Sequence, residues 1–179
     1  MNDFHGGTHE AKEHLEDFLK NKLGHYPELK NDPTQDYLSN MSPYLHFGQI
    51  SPLYIALKVL TADSPGKDVY LEELIVRREL SIKFVFYNQK YGSFDGVPEW
   101  AKRTLRKHRK DQREYIYNLE ELEKAKTHDP YWNAAQKEMR TKGKMHGDMR
   151  MTGERKYLNG VKLLRMPLKL LFILTINKN

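Results

Sequence analysis

The chain has 179 residues, a formal net charge of +6 and no cysteine. That length suffices for a domain with a real core, and the missing cysteines exclude a disulfide framework and a thiolate metal site. No charged-then-apolar leader opens the sequence, and the greasiest stretch, Leu168–Ile176, contains Lys169 and is too short to span a bilayer; the expectation is a soluble, cytoplasmic protein.

Ala11, Leu15, Phe18 and Leu19 fall on one face of a first helix over 8–23, with Thr8 placed to cap it and Gly24 to end it. Pro27, Asn31-Asp32-Pro33 and Ser42-Pro43 then predict an irregular connector. Ser51-Pro52 starts a helix to Leu60, and Ser64-Pro65-Gly66 breaks it. Over 69–87, Leu71, Leu74, Ile75, Leu80, Ile82, Phe84 and Val85 have the period of a long buried helix. Pro98 opens a helix over 98–110 in which Trp100 is expected to pack, and Leu119–Ala125 forms a short one. Asp129-Pro130 supplies an N-cap and a first-turn proline for a helix over 130–142 that stops at Gly143. No useful strand alternation occurs, so the fold class is all-α.

The positive charge is unevenly spread. Residues 152–179 hold six Lys/Arg against the single Glu154, which leaves the first 151 residues nearly neutral. One local basic stripe, Trp100–Arg113, carries seven Lys/Arg and only Asp111 as acid; such runs are more often solvated faces than phosphate-binding tracks. His9 and His14 lie five apart, about 140° around a helix, so they do not form the zinc motif H-E-x-x-H. No phosphate-binding G-x-x-x-x-G-K-[ST] pattern exists, and no metal is expected.

The most informative segment is Ser39–Ser51, S-N-M-S-P-Y-L-H-F-G-Q-I-S, which packs hydroxyls, an amide and helix-start backbone donors around a turn. It closely resembles the flavin-diphosphate loop of the class-II cyclobutane pyrimidine dimer DNA photolyases, where only Met41 differs. Leu71–Leu80, L-E-E-L-I-V-R-R-E-L, resembles that family's substrate-facing helix, and Tyr131–Met151 resembles the helix pair beneath its flavin ring. Pro98–Ala101 and Ala125–Asp129 also match, so the resemblance runs over roughly residues 4 to 151.

The resemblance implies a partial helical FAD-binding domain over 1–151 and light-driven repair of pyrimidine dimers in damaged DNA, by electron transfer from reduced FAD (FADH⁻). Carried over residue by residue, Tyr26, Leu38, Ser39, Asn40, Met41 and Ser42 would hold the flavin's diphosphate and ribityl chain, with Arg150 also on the flavin side. Glu73 would hydrogen-bond the flipped dimer and help stabilise its radical anion, a task suited to a carboxyl able to hold or share a proton. Arg77, one turn on, would reach the same pocket, and the polarizable thioether of Met151 would pack on the dimer. Trp132 would belong to the tryptophan chain that re-reduces the flavin.

Two departures stand out. Asp148 replaces the tyrosine usual in M-H-G-Y-M-R-M, placing like charge near DNA phosphate. After Met151 the family's approximate Y-W-G-K-K-I-L-E-W gives way to T-G-E-R-K-Y-L-N-G. With synonymous codons chosen for the fit, deleting one nucleotide from the family text yields Thr152 through the start of Gly160, and the same shift of a plausible continuation yields Leu163–Thr175. Residues 152–179 are therefore expected to be a frameshifted, non-native tail. The family's remaining tryptophans, its flavin-facing Asn, the Asp partner of Arg150 and the N-terminal α/β domain would then be missing. The expectation is a chain that retains FAD weakly or not at all and is inactive alone. From the residues alone a second reading stands, a non-catalytic helical DNA-binding module built on the basic stripe; bound flavin would separate the two. A cryptochrome-like light sensor is disfavoured because Glu73 and Met151 are kept.

Overall fold

The computed structural model describes residues 4–151 apart from Arg109 and Arg113. The expected tail over 152–179, and those two arginines of the basic stripe, lie outside the described residues. Among the described residues there is no strand, so the all-α expectation is met. The chain divides into two compact units, one reaching Lys83 and one running from Phe84 onward.

In the first unit, α1 (Thr8–Asp17) begins one residue earlier than a Thr8 cap would place it. Gln49 explains why: its side-chain carbonyl accepts from Gly7 N–H at 3.0 Å, and its backbone carbonyl accepts from the Thr8 hydroxyl at 2.9 Å. A partner distant in sequence thus takes over the capping that Thr8 was expected to provide. Gly24 does not end the helix. The chain passes from α1 through a π turn, Phe18–Lys22, and a 3₁₀ turn, Leu23–His25, into α2 (Tyr26–Leu29), where Pro27 sits in the first turn with its φ already helical. The same proline logic starts α3 (Ser42–His46) inside what the sequence reads as irregular connector.

Helix α4 (Pro52–Leu60) has its expected bounds, although Ser51 contributes extended backbone and no side-chain cap. Next comes one helical run: α5 (Lys67–Leu71), a π turn over Glu72–Arg77, and α6 (Arg78–Tyr87). Gly66 lets α5 seat, because a Cβ there would lie 1.9 Å from the Leu23 carbonyl oxygen. The core of this unit joins Leu15 of α1 and Phe18 of the π turn with Leu23, Tyr26, Met41, Tyr44, Ile55, Val59, Tyr70 and Leu74. Phe18, Tyr26 and Tyr70 form a closed aromatic triangle with ring centroids 4.8–5.4 Å apart. The expected burial of the whole 69–87 stretch is corrected here: Leu74 is buried, but Ile75, Leu80, Ile82, Phe84 and Val85 are 45–62% exposed.

In the second unit, α7 (Glu99–Lys107) carries the first half of the basic stripe. Trp100 does not pack; it is 70% exposed. Helix α8 (Leu119–Glu123) starts on a capping box between Asn118 and Glu121. Helix α9 (Pro130–Lys142) has the expected bounds: Asp129 accepts from the N–H groups of Tyr131 and Trp132, and Gly143 closes it at φ 75. Residues 147–151 are helical again, and Ala135, Met139 and Met145 make a small core with Met149 against it.

Candidate functional site

Two residues assigned to different tasks, 47 positions apart, touch. The Tyr26 hydroxyl donates to Glu73 Oε2 at 2.6 Å. The other carboxylate oxygen, Oε1, accepts from the ammonium of Lys30. Tyr26 opens α2 and Lys30 caps its end, so at four residues' spacing both donors lie on one face. The Lys30 ammonium also stands 5.5 Å from the centre of the Tyr26 ring. The Lys30 side chain is 16% exposed and that of Glu73 27%.

These contacts set the charge state. Burial pulls the Glu73 carboxyl upward, but hydrogen bonds from Lys30 and Tyr26, with the charges of Lys30 and Arg77, outweigh it and hold the group below the ordinary range. The Tyr26 phenol is driven far upward by burial and by its contact with that anion. Burial likewise pushes Tyr70 up to about 12, opposed by the Ser39 hydroxyl and aided by the Glu73 charge. Glu73 is thus an ionised acceptor in the resting chain.

The loop residues divide by accessibility. Leu38, Ser39 and Asn40 are half-buried and Ser42 is exposed, whereas Met41 is 1% exposed in the core. Met41 could meet a ligand only through its backbone. Asn40 has φ 57, and Met41 follows in the right-handed region, a pairing that turns successive N–H groups into an anion-holding concavity. The Ser39 hydroxyl lies 3.4 Å from Met41 N and within reach of the Tyr70 phenol. The exposed Ser42 hydroxyl and the backbone turn at Asn40 and Met41 are groups of the kind that can donate to a phosphate, although the Met41 N–H already donates to Ser39 Oγ.

Arg77 acts on Glu73 by its charge alone, since its hydrogen bond goes elsewhere. Its Nε donates to Glu72 Oε2 at 2.8 Å, and its side chain is 67% exposed. Both acids sit in the π turn, whose hydrogen bonds run five residues back instead of four; Arg77 therefore pairs five residues away. In the second unit, Trp132 is half-buried in the first turn of α9, while Arg150 and Met151 are exposed.

Two residues escaped the sequence reading. Lys30 had a signal, its four-residue spacing from Tyr26, that gains meaning only once α2 exists. His146 is 7% exposed; its Nδ1 accepts from Asp148 N–H at 3.3 Å, and its Nε2 is buried without a hydrogen-bond partner. No group of three metal-ligating side chains occurs among the described residues, and no helix among them is long and apolar enough to cross a membrane.

In three dimensions the chain matches a bacterial class III photolyase from Agrobacterium tumefaciens with a TM-score of 0.67 at 22% identity, over 86% of this chain and 32% of that one. This is the helical fold of a photolyase. In sequence, the chain is 57% identical over 155 residues to the deoxyribodipyrimidine photo-lyase of Methanothermobacter thermautotrophicus, covering 87% of this chain and 34% of that protein. Proteins of the same name from Potorous tridactylus and Arabidopsis thaliana are 44% and 49% identical, over 85% and 81% of this chain and 29% and 30% of theirs. The chain therefore spans about a third of the length of the curated relatives it matches. No family model matches it.

Proposed function

We propose that this chain is the flavin- and dimer-facing stretch of a deoxyribodipyrimidine photo-lyase of the class-II kind, acting on cyclobutane pyrimidine dimers in DNA. The observation that carries the proposal is the 57% identity over 155 residues. A match of that length in a 179-residue chain necessarily contains every candidate residue from Tyr26 to Met151. The class-II refinement rests on the Ser39–Ser51 string.

Reduced FAD, when bound, supplies one electron under blue or near-ultraviolet light and takes it back after the cyclobutane ring has opened. The chain's residues bind and orient. Ser39, Asn40 and Ser42, with the backbone of Met41, would hold the diphosphate. Tyr26, its hydroxyl committed to Glu73, would support that loop's neighbourhood and fix the carboxylate. Glu73 would meet the extruded dimer as an acceptor, with Arg77 on the same helical run; Met151 is a further candidate for contact with the dimer. Trp132, anchored by the Asp129 cap, would relay electrons to oxidised flavin, and Arg150 would line the flavin side.

The test is a graft. Residues 4–151 replace their counterpart in the Methanothermobacter protein, and light-dependent loss of thymine dimers is measured. Repair by the graft is expected, and Glu73→Gln in it should abolish most repair while keeping the yellow colour. The unmodified 179-residue chain should be colourless and inactive. A graft that binds flavin but leaves dimers intact would overturn the assignment.

A further inference from the structure

The adjacent acids Glu72 and Glu73 are treated differently by the fold. Glu72 faces outward and pairs with Arg77, and its side chain is 46% exposed. Glu73 faces the aromatic triangle and receives two donors from α2. In the other lysine pairs among the described residues the acid is more exposed: Lys20 with Glu16 has exposures of 74% and 68%, Lys124 with Glu120 has 52% and 71%, and Lys22, itself 16% exposed, reaches an Asp36 that is 77% exposed. Pairs of that kind contribute little. The Lys30–Glu73 pair is different, since it joins residues 43 apart, is largely screened from water, and places the cation against the Tyr26 ring. Removing one partner of such a pair leaves an uncompensated charge behind.

We infer that Lys30 is a positioning residue for Glu73: its ammonium and the Tyr26 hydroxyl each take one carboxylate oxygen, fixing the group as an oriented acceptor before any ligand arrives. The inference rests on the proposed photolyase reading for its use, though not for its geometry. Every charged or titratable group facing Glu73 agrees with it. Tyr26 and Lys30 come from α2, Tyr70 from α5, and Arg77 from the π turn, where its charge is shared with Glu72. Of these, only Lys30 is a cation in direct contact. A carboxylate held by both oxygens keeps its remaining lone pairs for a donor on the substrate. In this resting arrangement Glu73 accepts hydrogen bonds, and what the pair supplies is the carboxylate's orientation. Lys30 is not a catalytic residue in this arrangement; it acts through Glu73.

The experiment uses the full chain without flavin. Carbon-13 labelling of glutamate side chains, with Glu73→Gln to assign the signal, gives the titration midpoint of Glu73 by NMR. In the unaltered chain the midpoint should lie below that of exposed glutamates. Lys30→Met should move it up, and Lys30→Arg should return it toward the original position, since a guanidinium retains charge and donors. Should Lys30→Met fail to fold, Tyr26→Phe and Lys30→Arg provide the comparison: the first should raise the midpoint and the second should not. A merely structural lysine would change the unfolding temperature while leaving the Glu73 midpoint in place, and that result overturns the inference. Because the readout needs neither flavin nor dimer, its failure is distinct from failure of the graft.

Discussion

Replacing Gly66 by alanine should be among the most damaging single-methyl changes in the first unit. The new Cβ would sit 1.9 Å from the Leu23 oxygen, 3.0 Å from the Leu23 carbonyl carbon and 3.2 Å from Cδ of Pro27. Two of those three atoms are backbone and cannot rotate away, so α5 must retreat by more than about 1 Å to restore ordinary contact. Overpacking of this sort costs about 1–3 kcal/mol. In a chain of this size each kcal/mol lowers the unfolding midpoint by about 2–4 °C, so a fall of roughly 4–12 °C is expected at the upper half of that range. The retreat also travels along the continuous run to Tyr70 and Glu73, loosening the Tyr26 contact. The assay is thermal unfolding followed by circular dichroism, with Gly24→Ala as the control. Gly24 lies next to the same contact, but a Cβ there meets nothing within 4 Å, so Gly24→Ala should be neutral or slightly stabilising through the unfolded chain. Equal midpoints for the two variants would refute the reasoning.

Tyr26→Phe removes a donor to an ionised carboxylate and should cost about 1.5–3 kcal/mol, read as a lower urea midpoint with unchanged helical signal. Because the folded Glu73 carboxyl lies below its ordinary 4.5, the unfolded chain binds its proton first. Its stabilising contribution is complete above that value and lost as pH falls through the folded midpoint; acid unfolding should therefore soften in Glu73→Gln. The tyrosines give the opposite sign. Tyr70 rises from 10.0 to about 12, so its contribution is complete below pH 10 and lost as pH climbs toward 12, and absorbance titration at the phenolate band should show Tyr70→Phe reducing the alkaline destabilisation. Asp129→Ala deprives α9 of its cap and should cost about 0.5–2 kcal/mol, visible as faster amide exchange at Tyr131 and Trp132.

What could be read from the sequence follows from how far each determinant lies from its effect. Asp129, Pro130 and Gly143 fix α9 by contacts within one turn of its ends, and its bounds were legible to the residue. Thr8 misled because its proper partner, Gln49, is 41 residues away. The apolar spacing of Leu80, Ile82, Phe84 and Val85 correctly marks a helix, yet periodicity records only that a face is apolar and not that it is covered, and that face of α6 is exposed.

The site shows the same limit more sharply. Glu73 and Tyr26 were each identified through string resemblance, and nothing in either string states that they touch. That contact exists because Gly66 lets α5 close on Leu23, which brings Glu73 over the face of α2 that bears Tyr26. Arg77 illustrates the converse. Regular helical spacing points it at Glu73, but the π turn widens the coil by one residue and gives it to Glu72. The buried acid is then left to Lys30, which no spacing rule in the Leu71–Leu80 string could have selected. A one-residue change in helical repeat thereby decides which cation governs the carboxylate, and in a regular α-helix at this position Arg77 and Lys30 would compete for it.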